Sequence, residues 1–272
     1  MTEFERPVFG AQEVIEITSK FQADDAAFII GGQATNFWAW FYGDKEPELK
    51  LKGPFTSEDI DYFGMPDVAR NVAKAIGGKL LLPEADNHTP NTAQIETTIN
   101  GKPLIIDFLG SVLGVPQREL SKGVSEVQLQ AQLDGAPATA LIKVLHPLLC
   151  LKSRIVNMLH PAMRRSDRIA RTQAEAAIVI VRRYIDDALS EDGDWKEARE
   201  CFSQLFRDLR SDRYVKIADA KLNIDPLDIL KHFANDERID PRYRKNQLQK
   251  MIAQIERRRS GRHDRWATQA KK

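Results

Sequence analysis

The pattern of the chain changes at His146-Pro147, and this change constrains the fold more than any other feature. Before it, short apolar or alternating segments typical of strands are mixed with helical segments and separated by Gly-rich turns. After it, every long segment has helical spacing. The sequence therefore predicts an α+β fold, with a mixed sheet flanked by helices in residues 1–145 and a mostly helical domain in residues 146–272.

Individual elements follow from periodicity and from turn residues. Strands are predicted at 26–30, 59–63, 79–82, 94–100, 103–109, 127–133 and 138–145, and early helices at 11–21, 33–42 and 66–76. The polar segment 45–54 is predicted to be a loop, and Asn100-Gly101 predicts a tight hairpin turn. Later helices are expected at 148–159, 166–189, 194–208, 225–233 and 241–259.

Composition excludes some classes of protein. A net charge of +1 argues against a protein that coats nucleic acid over its whole surface, although the end of the chain is basic. From Pro241 to Lys272 there are eleven Lys/Arg and only two acids, Glu256 and Asp264. Two distant cysteines, Cys150 and Cys201, fit neither a disulfide framework nor a metal motif, and they favour a reducing cytoplasm. No apolar run is long enough for a membrane span, and residues 1–10 lack a secretory signal, so no membrane association is expected.

Acidic residues occur where strands are predicted to be buried. Asp59 and Asp61 flank Ile60 in a short strand, so both carboxylates are expected on one face while Ile60 enters the core. Asp107 interrupts the apolar run 104–109, where an unpaired carboxylate is costly. If the two strands are neighbours, three carboxylates converge and can hold two Mg²⁺ or Mn²⁺ ions, because hard divalent cations prefer oxygen ligands.

A second feature suits a phosphate. The predicted strand 26–30 ends at Gly31-Gly32, whose backbone N–H groups are not shielded by side chains. The helix expected to begin near Gln33 directs its positive N-terminal dipole to the same place. Together with the carboxylates, the turn indicates phosphoryl-transfer chemistry on a nucleoside triphosphate.

The order of these elements resembles the DNA polymerase β-type nucleotidyltransferase superfamily. Within it, the segments IIGGQA and FTSEDIDYFG are similar to the AbiE-type toxin nucleotidyltransferases, and the similarity covers residues 26–110 most closely. The chain departs from many members in having Gln33 after the second glycine and a longer gap before Asp59. The resemblance assigns phosphate binding to Gly31 and Gly32, metal binding to Asp59, Asp61 and Asp107, and the role of general base to Asp107.

The same resemblance implies a nucleotide site and a reaction. It assigns Thr56, Ser57 and Lys152 to nucleotide binding. The implied enzyme transfers a nucleoside monophosphate from an NTP to an acceptor hydroxyl, with Mg²⁺ or Mn²⁺ as cofactor. The acceptor is expected to be RNA, in particular the 3′ end of tRNA, or a protein side chain. A toxin or phage-defence role would add an antitoxin protein as partner.

Two other functions are compatible with the sequence. One is a catalytically inactive nucleotidyltransferase-like module that binds nucleic acid or a partner protein, although all three carboxylates are present. The other is a small-molecule adenylyltransferase, which would need an open acidic acceptor pocket. Basic helices argue for RNA instead, since Arg164, Arg168 and Arg171 share a helix face by their spacing.

Each of the basic features also has a simpler interpretation. Lys152 and Arg154 could be solvated surface charges, and the arginine face could be an ordinary exposed helix face. The run Arg257-Arg258-Arg259 is most simply a solubilising tail, with nucleic-acid contact as the second interpretation.

Overall fold

The computed structural model describes residues 8–21, 26–84, 89–120, 122–133, 136–163, 165 and 167–269. Two compact units are present, Met1–Ala177 and Ile178–Lys272. The first contains a seven-stranded mixed sheet with helices, and the second is helical, so the predicted α+β class is confirmed. None of the described helices combines the length and the apolar character that a membrane crossing requires.

The first unit alternates helices and strands before its chain becomes helical. Its helices are α1 (Ala11–Thr18), α2 (Gly31–Tyr42), α3 (Pro47–Lys52), α4 (Pro66–Ile76), α5 (Gln117–Leu120), α6 (Pro147–Leu159) and the first part of α7 (Arg168–Ala188). Its strands are β1 (Phe28–Ile29), β2 (Ile60–Phe63), β3 (Lys79–Leu81), β4 (Asn91–Ile99), β5 (Lys102–Leu109), β6 (Val124–Leu133) and β7 (Ala136–Leu145).

The sheet brings together strands that are far apart in sequence. Its order is β3-β4-β5-β2-β1-β7-β6, and the two parallel pairs are β2 with β5 and β1 with β7. Both β1 and β2 are short and lie in the middle, where neighbours cover them on each side. The two strands predicted to carry acidic residues, β2 and β5, are therefore direct neighbours, as the convergence of the carboxylates requires.

Local signals explain the elements nearest to this pair of strands. Helix α4 begins with Pro66 in its first turn and ends at Gly77, which has a positive φ of 66°. The hairpin between β4 and β5 turns at Asn100-Gly101, where both residues have positive φ, as this type of tight turn requires. Both predictions are confirmed.

The predicted loop at 45–54 is wrong, because the segment contains helix α3. Pro47 occupies its first turn, where the missing N–H loses no hydrogen bond, and Leu49 is buried on its inner side. The sequence did not predict this short helix, because its single buried residue among charged neighbours gives no helical pattern of apolar residues.

The change in pattern at His146-Pro147 coincides with a change of secondary structure, from β7 to α6. Helix α6 and the first part of α7 nevertheless belong, together with the sheet, to the first compact unit. The predicted domains, 1–145 and 146–272, stay a prediction. Asp134 and Gly135, between the predicted strands 127–133 and 138–145, and Ser166, the predicted start of a later helix, lie outside the described residues.

The second unit packs short helices around aromatic and aliphatic side chains. It contains the end of α7, α8 (Trp195–Ser211), a 3₁₀ turn (Val215–Ile217), α9 (Ala218–Leu222), α10 (Leu227–His232), α11 (Pro241–Tyr243), a π-helical turn (Arg244–Leu248) and α12 (Gln249–Gln269). Its fully buried side chains include Phe202, Leu230, Phe233 and Leu248.

Arg259 on α12 joins helices of the second unit and does not belong to a solvated tail. Its guanidinium donates two hydrogen bonds of 2.7 Å to the carboxylate of Asp225, and its Nε lies 3.0 Å from Asp219. Only 12% of its side chain is exposed. The interpretation of Arg257-Arg258-Arg259 as a solubilising run is therefore wrong for its third member.

Replacing Arg259 with Met should lower the free energy of unfolding of the second unit by roughly 3 kcal/mol, because two carboxylates lose their partner in a poorly hydrated place. Urea denaturation followed by circular dichroism measures the change. Arg257→Met is the matched control, since Arg257 is exposed and, among the described residues, hydrogen-bonds along its own helix to the Ala253 carbonyl at 3.3 Å. Equal losses in both variants would contradict the role of Arg259.

Candidate functional site

Three carboxylates converge where β2 and β5 lie side by side. The parallel register places Asp61 opposite Asp107, and Asp59 lies just before the first residue of β2. One oxygen from each of the three side chains lies within 4.8 Å of the others. The strand predicted to begin at Asp59 begins one residue later, and the convergence that the spacing predicted is present.

Asp61 is the least solvated member of this carboxylate cluster. Its side chain is mostly buried, and it accepts no hydrogen bond from any residue in the described part of the chain. Burial, with the charges of Asp59 and Asp107, raises the pKa of Asp61 to about 7, although the cations Arg154 and Arg165 act in the opposite direction. A carboxyl group in this position is stable as a carboxylate only if a positive charge is supplied.

The backbone of the turn at Gly31 is in close contact with the side chain of Asp61. Gly31 has a φ of 66°, which an L-residue with a side chain rarely adopts. A Cβ atom at this position would overlap with the carboxylate of Asp61, and the Ile30 N–H donates to the Asp61 carbonyl at 2.9 Å. Glycine is therefore needed at residue 31 for two independent reasons, the backbone conformation and the close approach of Asp61. Helix α2 begins at this turn, with Gly31 as its first residue, two residues before the predicted start near Gln33.

Asp107 is held in place by two amides of the neighbouring strand β4. Asn91 Nδ2 and Gln94 Nε2 donate to the same oxygen, Oδ1, at 2.9 and 2.8 Å. Burial raises the pKa of Asp107 and the charge of Asp59 raises it further, whereas the two amide hydrogen bonds lower it. Because both amides use Oδ1, the other carboxylate oxygen is left available to a ligand.

The two predicted hydroxyl residues before the cluster have different surroundings. Ser57 Oγ donates to Asp59 Oδ1 at 3.0 Å, so Ser57 contacts the cluster directly. Thr56 instead lines an open cavity of about 870 Å³ together with Trp40 and Phe55. Trp40 is 45% exposed, so it is not a core residue, whereas its neighbour Trp38 is buried.

A groove of about 700 Å³ lies beside the cluster on the outer face of the sheet. Its lining is mostly polar or acidic and comes from the segment before β2, from β4 and from β5: Glu58, Asp59, Gln94, Glu96, Thr97, Pro103, Leu104, Ile105 and Asp107. Asp59 and Asp107 are therefore accessible to a molecule that enters this groove from solvent.

Lys152 and Arg154 are both buried, so the interpretation as solvated surface charges is wrong for both. Lys152 is 5% exposed, and its Nζ lies 3.1 Å from the carboxylate of Glu119. Arg154 is 6% exposed, and its Nη1 donates to Gln173 Oε1 at 3.2 Å. Residues two apart in a helix differ by about 200° in direction, so the two side chains cannot serve the same place.

The predicted arginine face is described only in part. Arg168 and Arg171 are exposed, and Arg171 pairs with Glu175 one turn later on α7. Arg164 lies outside the described residues. Arg165 is exposed, and its charge lowers the pKa of Asp61, so at least one arginine of this segment acts on the cluster.

Sequence reasoning missed the amides that hold Asp107, although a signal for one of them existed. Counting outward from the predicted two-residue turn Asn100-Gly101 pairs Gln94 with Asp107, as observed. Asn91 could not be found in this way, because an irregularity between Asn91 and Ala93 shifts the register.

Arg154 and Gln173, the other residues near the cluster that were missed, carry no comparable signal. They lie on different helices, and only the packing of the first unit brings them to the glycine turn.

Comparison of the chain with models of protein families, with curated proteins and with solved structures found no match. The carboxylate cluster and the glycine turn are therefore the features that bear on function.

Proposed function

We propose that the chain is a Mg²⁺- or Mn²⁺-dependent nucleotidyltransferase. The observation that carries this proposal is Asp61, a mostly buried carboxylate with no hydrogen-bond donor among the described residues and two further carboxylates within 4.8 Å. Such a group would be expelled or protonated unless a cation were bound. The adjoining glycine turn at a helix start supplies a place for phosphates.

The residues present fit a hard divalent cation. Asp59, Asp61 and Asp107 offer only carboxylate oxygens, which Mg²⁺ and Mn²⁺ prefer, and the oxygens are near enough to share ions. When bound, such ions would neutralise charge on the phosphates and lower the pKa of an acceptor hydroxyl.

The rest of the chemistry is assigned to residues of this chain. The oxygen of the acceptor hydroxyl attacks the α-phosphorus of the NTP, and the bond from this phosphorus to the oxygen that bridges to the β-phosphate breaks. Pyrophosphate leaves, and the nucleoside monophosphate stays on the acceptor. The carboxylate of Asp107 accepts the hydroxyl proton, a role favoured by its raised pKa and its position in the open groove. N–H groups at Gly31 and Gly32 orient the phosphates.

The acceptor is proposed to be RNA, in particular the 3′ end of tRNA, or a protein side chain. The excess of basic residues between Pro241 and Lys272 supports RNA. If the activity is toxic, an antitoxin protein would be its partner. The buried free thiols of Cys150 and Cys201 are compatible with the proposed cytoplasmic location.

A second candidate is a small-molecule adenylyltransferase with a cationic acceptor. The groove beside the cluster favours it, because Glu58 and Glu96 add acidic groups to an open pocket. Glu96 already pairs with Lys79 at 3.1 Å, which reduces the negative charge that a cationic acceptor would meet. RNA or protein remains the first proposal for this reason.

A label-transfer assay tests the proposal. The purified chain is incubated with Mg²⁺ and each NTP labelled at the α-phosphate, together with total RNA, a cell lysate, or an aminoglycoside. Label on RNA, on protein or on the small molecule identifies the acceptor. Asp59→Ala should abolish transfer, and full transfer by this variant or in excess EDTA would show that the carboxylate cluster is not the active site.

Metal binding should depend on pH, because Asp61 must lose its proton to bind a cation. With its pKa raised to about 7, Asp61 is mostly protonated at pH 6 and mostly ionised at pH 8. The affinity for Mn²⁺, measured by electron paramagnetic resonance, should therefore be about tenfold higher at pH 8 than at pH 6. In Asp61→Asn the residual affinity should change much less over this range. A wild-type affinity independent of pH would contradict the assignment of Asp61 as a ligand.

A further inference from the structure

A continuous chain of buried polar side chains lies behind the glycine turn. Arg154 Nη1 donates to Gln173 Oε1 at 3.2 Å, and Gln173 Nε2 donates to Asn36 Oδ1 at 3.0 Å. Asn36 Nδ2 donates to Gln33 Oε1 at 3.3 Å, and Gln33 Nε2 donates to the backbone carbonyl of Asp59 at 3.2 Å. All four side chains are at most 6% exposed. This buried polar chain therefore runs from a cation on α6 to the backbone of a proposed metal ligand.

The direction of the buried polar chain is fixed by its two ends. Arg154 can only donate hydrogen bonds, and the carbonyl of Asp59 can only accept them. Each of the three amides between them must then accept with its oxygen and donate with its nitrogen, in the same sense. Reversing any one amide would place two donors or two acceptors against each other, which is costly in a buried network. The hydrogen bonds of the buried polar chain consequently have only one possible direction.

The buried polar chain also contacts the glycine turn. A Cβ atom at Gly32 would lie 2.9 Å from Gln173 Nε2 and 3.6 Å from Arg154 Nη1, so only glycine leaves room for this packing. One network thus contacts both the backbone of Asp59 and the turn at Gly32.

The burial of Arg154 is not explained by its local contacts. Its Nε is buried and has no hydrogen-bond partner among the described residues, and a guanidinium without a directly contacting carboxylate is expensive to bury. By contrast, Lys152 two residues earlier lies 3.1 Å from a carboxylate. Burial lowers the pKa of Arg154, and the neighbouring Cys150 and Asp61 act in the opposite direction.

We propose that Arg154 is a positioning residue of the transfer reaction, and this proposal rests on the proposed function. Acting through Gln173, Asn36 and Gln33, it fixes the distance between the backbone of Asp59 and the turn at Gly32. It does not contact the NTP or the acceptor. The nucleotidyltransferase resemblance pointed to Lys152 as the basic residue of the site, whereas the contacts assign the structural link with the glycine turn to Arg154.

Three variants test this role by interrupting the buried polar chain at different points. Arg154→Met removes the first donor and the charge, Gln173→Met interrupts the middle, and Arg154→Lys keeps a positive donor. The full-length proteins are compared for Mn²⁺ affinity without nucleotide, by electron paramagnetic resonance, and for kcat and KM in NTP transfer. Thermal unfolding is measured in parallel, so that loss of fold is separated from loss of positioning.

Tyr62→Phe is the matched control for lost stability. Tyr62 lies on β2 next to Asp61, is fully buried, and shares a 2.6 Å hydrogen bond with Thr18 on the opposite side of the strand from the carboxylates. This variant also loses one buried hydrogen bond, but it leaves the buried polar chain behind the glycine turn intact. It should unfold at a lower temperature with Mn²⁺ affinity and kinetics unchanged.

The expected result separates the proposal from a purely structural role. Arg154→Met and Gln173→Met should each weaken Mn²⁺ binding about tenfold and lower kcat more than they raise KM, as loss of an outer-shell contact does in metal sites. Arg154→Lys should recover part of both. If Arg154→Met does not fold, Gln173→Met carries the test, because it keeps the cation and a side chain of similar volume.

Two results would overturn the proposal in distinguishable ways. Wild-type Mn²⁺ affinity in folded Arg154→Met or Gln173→Met, with weakened binding in Asp61→Asn, would remove only the positioning role. Failure of the wild-type chain itself to bind Mn²⁺ would overturn the proposed function and the positioning role together.

Discussion

Asp61→Asn should abolish nucleotidyl transfer and, without metal, make the first unit more stable. Loss of a ligand that contributes several kcal/mol to stabilising the transition state corresponds to a decrease in rate of about a thousandfold or more. The stability changes in the opposite direction because the asparagine side chain has no charge to bury. Few substitutions at a purely structural position would produce these opposite effects.

The sign of the stability change follows from the pKa of Asp61. Its value in the folded chain, about 7, lies above the ordinary value of 3.8, so the folded state holds the proton more tightly than the unfolded state. The stabilisation from this proton is complete below pH 3.8 and is lost as the pH rises towards 7. At pH 8 the ionised carboxylate therefore destabilises the metal-free chain by up to roughly 4 kcal/mol.

Thermal unfolding of both proteins in EDTA, at pH 5 and at pH 8, measures this effect. The Tm of Asp61→Asn should exceed that of the wild type by roughly 5–10 °C at pH 8, and the difference should become smaller at pH 5. Adding Mg²⁺ should raise the Tm of the wild type and leave that of the variant nearly unchanged. A variant less stable than the wild type at pH 8 would show that Asp61 has a stabilising partner of its own.

Gly31→Ala should be the second most damaging substitution, because it displaces Asp61. Forcing an alanine to a φ of 66° costs roughly 1 kcal/mol, and its Cβ would overlap with the carboxylate that the turn is fitted against. We expect transfer to fall at least about a hundredfold, corresponding to roughly 3 kcal/mol, together with a loss of Mn²⁺ affinity.

Gly77→Ala provides the matched control for backbone strain. Gly77 has the same φ of 66°, but no atom lies within 4 Å of the position that its Cβ would take. Its alanine variant should lose a similar roughly 1 kcal/mol of stability and keep full transfer activity and metal affinity. Equal activity in the two alanine variants would mean that the contact between the turn and Asp61 does not matter for function.

Much of the first unit could be predicted from the sequence because its signals are local. The helix that begins at Pro66 and the turn at Asn100-Gly101 depend on residues within a few positions of each other, and both are confirmed. The two acidic strands were also predictable, since an aspartate within an apolar segment is conspicuous. Helix α3 was missed because one buried residue, Leu49, leaves no periodic pattern.

The three carboxylates of the candidate site could be predicted from the sequence, but the residues that hold them in place could not. Asp59, Asp61 and Asp107 stand out because each is an acid at a predicted strand, and the structure brings their carboxylates together. Buried charges such as Lys152 and Arg154 look like surface charges in the sequence, since long charged side chains are seldom buried. Their burial depends on partners in other helices, and no local pattern encodes such partners.

The sequence by itself determined the α+β class and the three acidic positions, because residue type and spacing fix which side chains share a face of a strand. Only the tertiary structure decided that β2 lies beside β5 with Asp61 opposite Asp107, since the pairing of distant strands depends on the whole sheet. It also decided that Gly31 is fitted against Asp61 and that Arg154 is linked to the turn through Gln173. The hydrogen bond from Gln173 to Asn36 in the same network joins residues 137 positions apart, and only packing of the complete core brings such segments within hydrogen-bond distance.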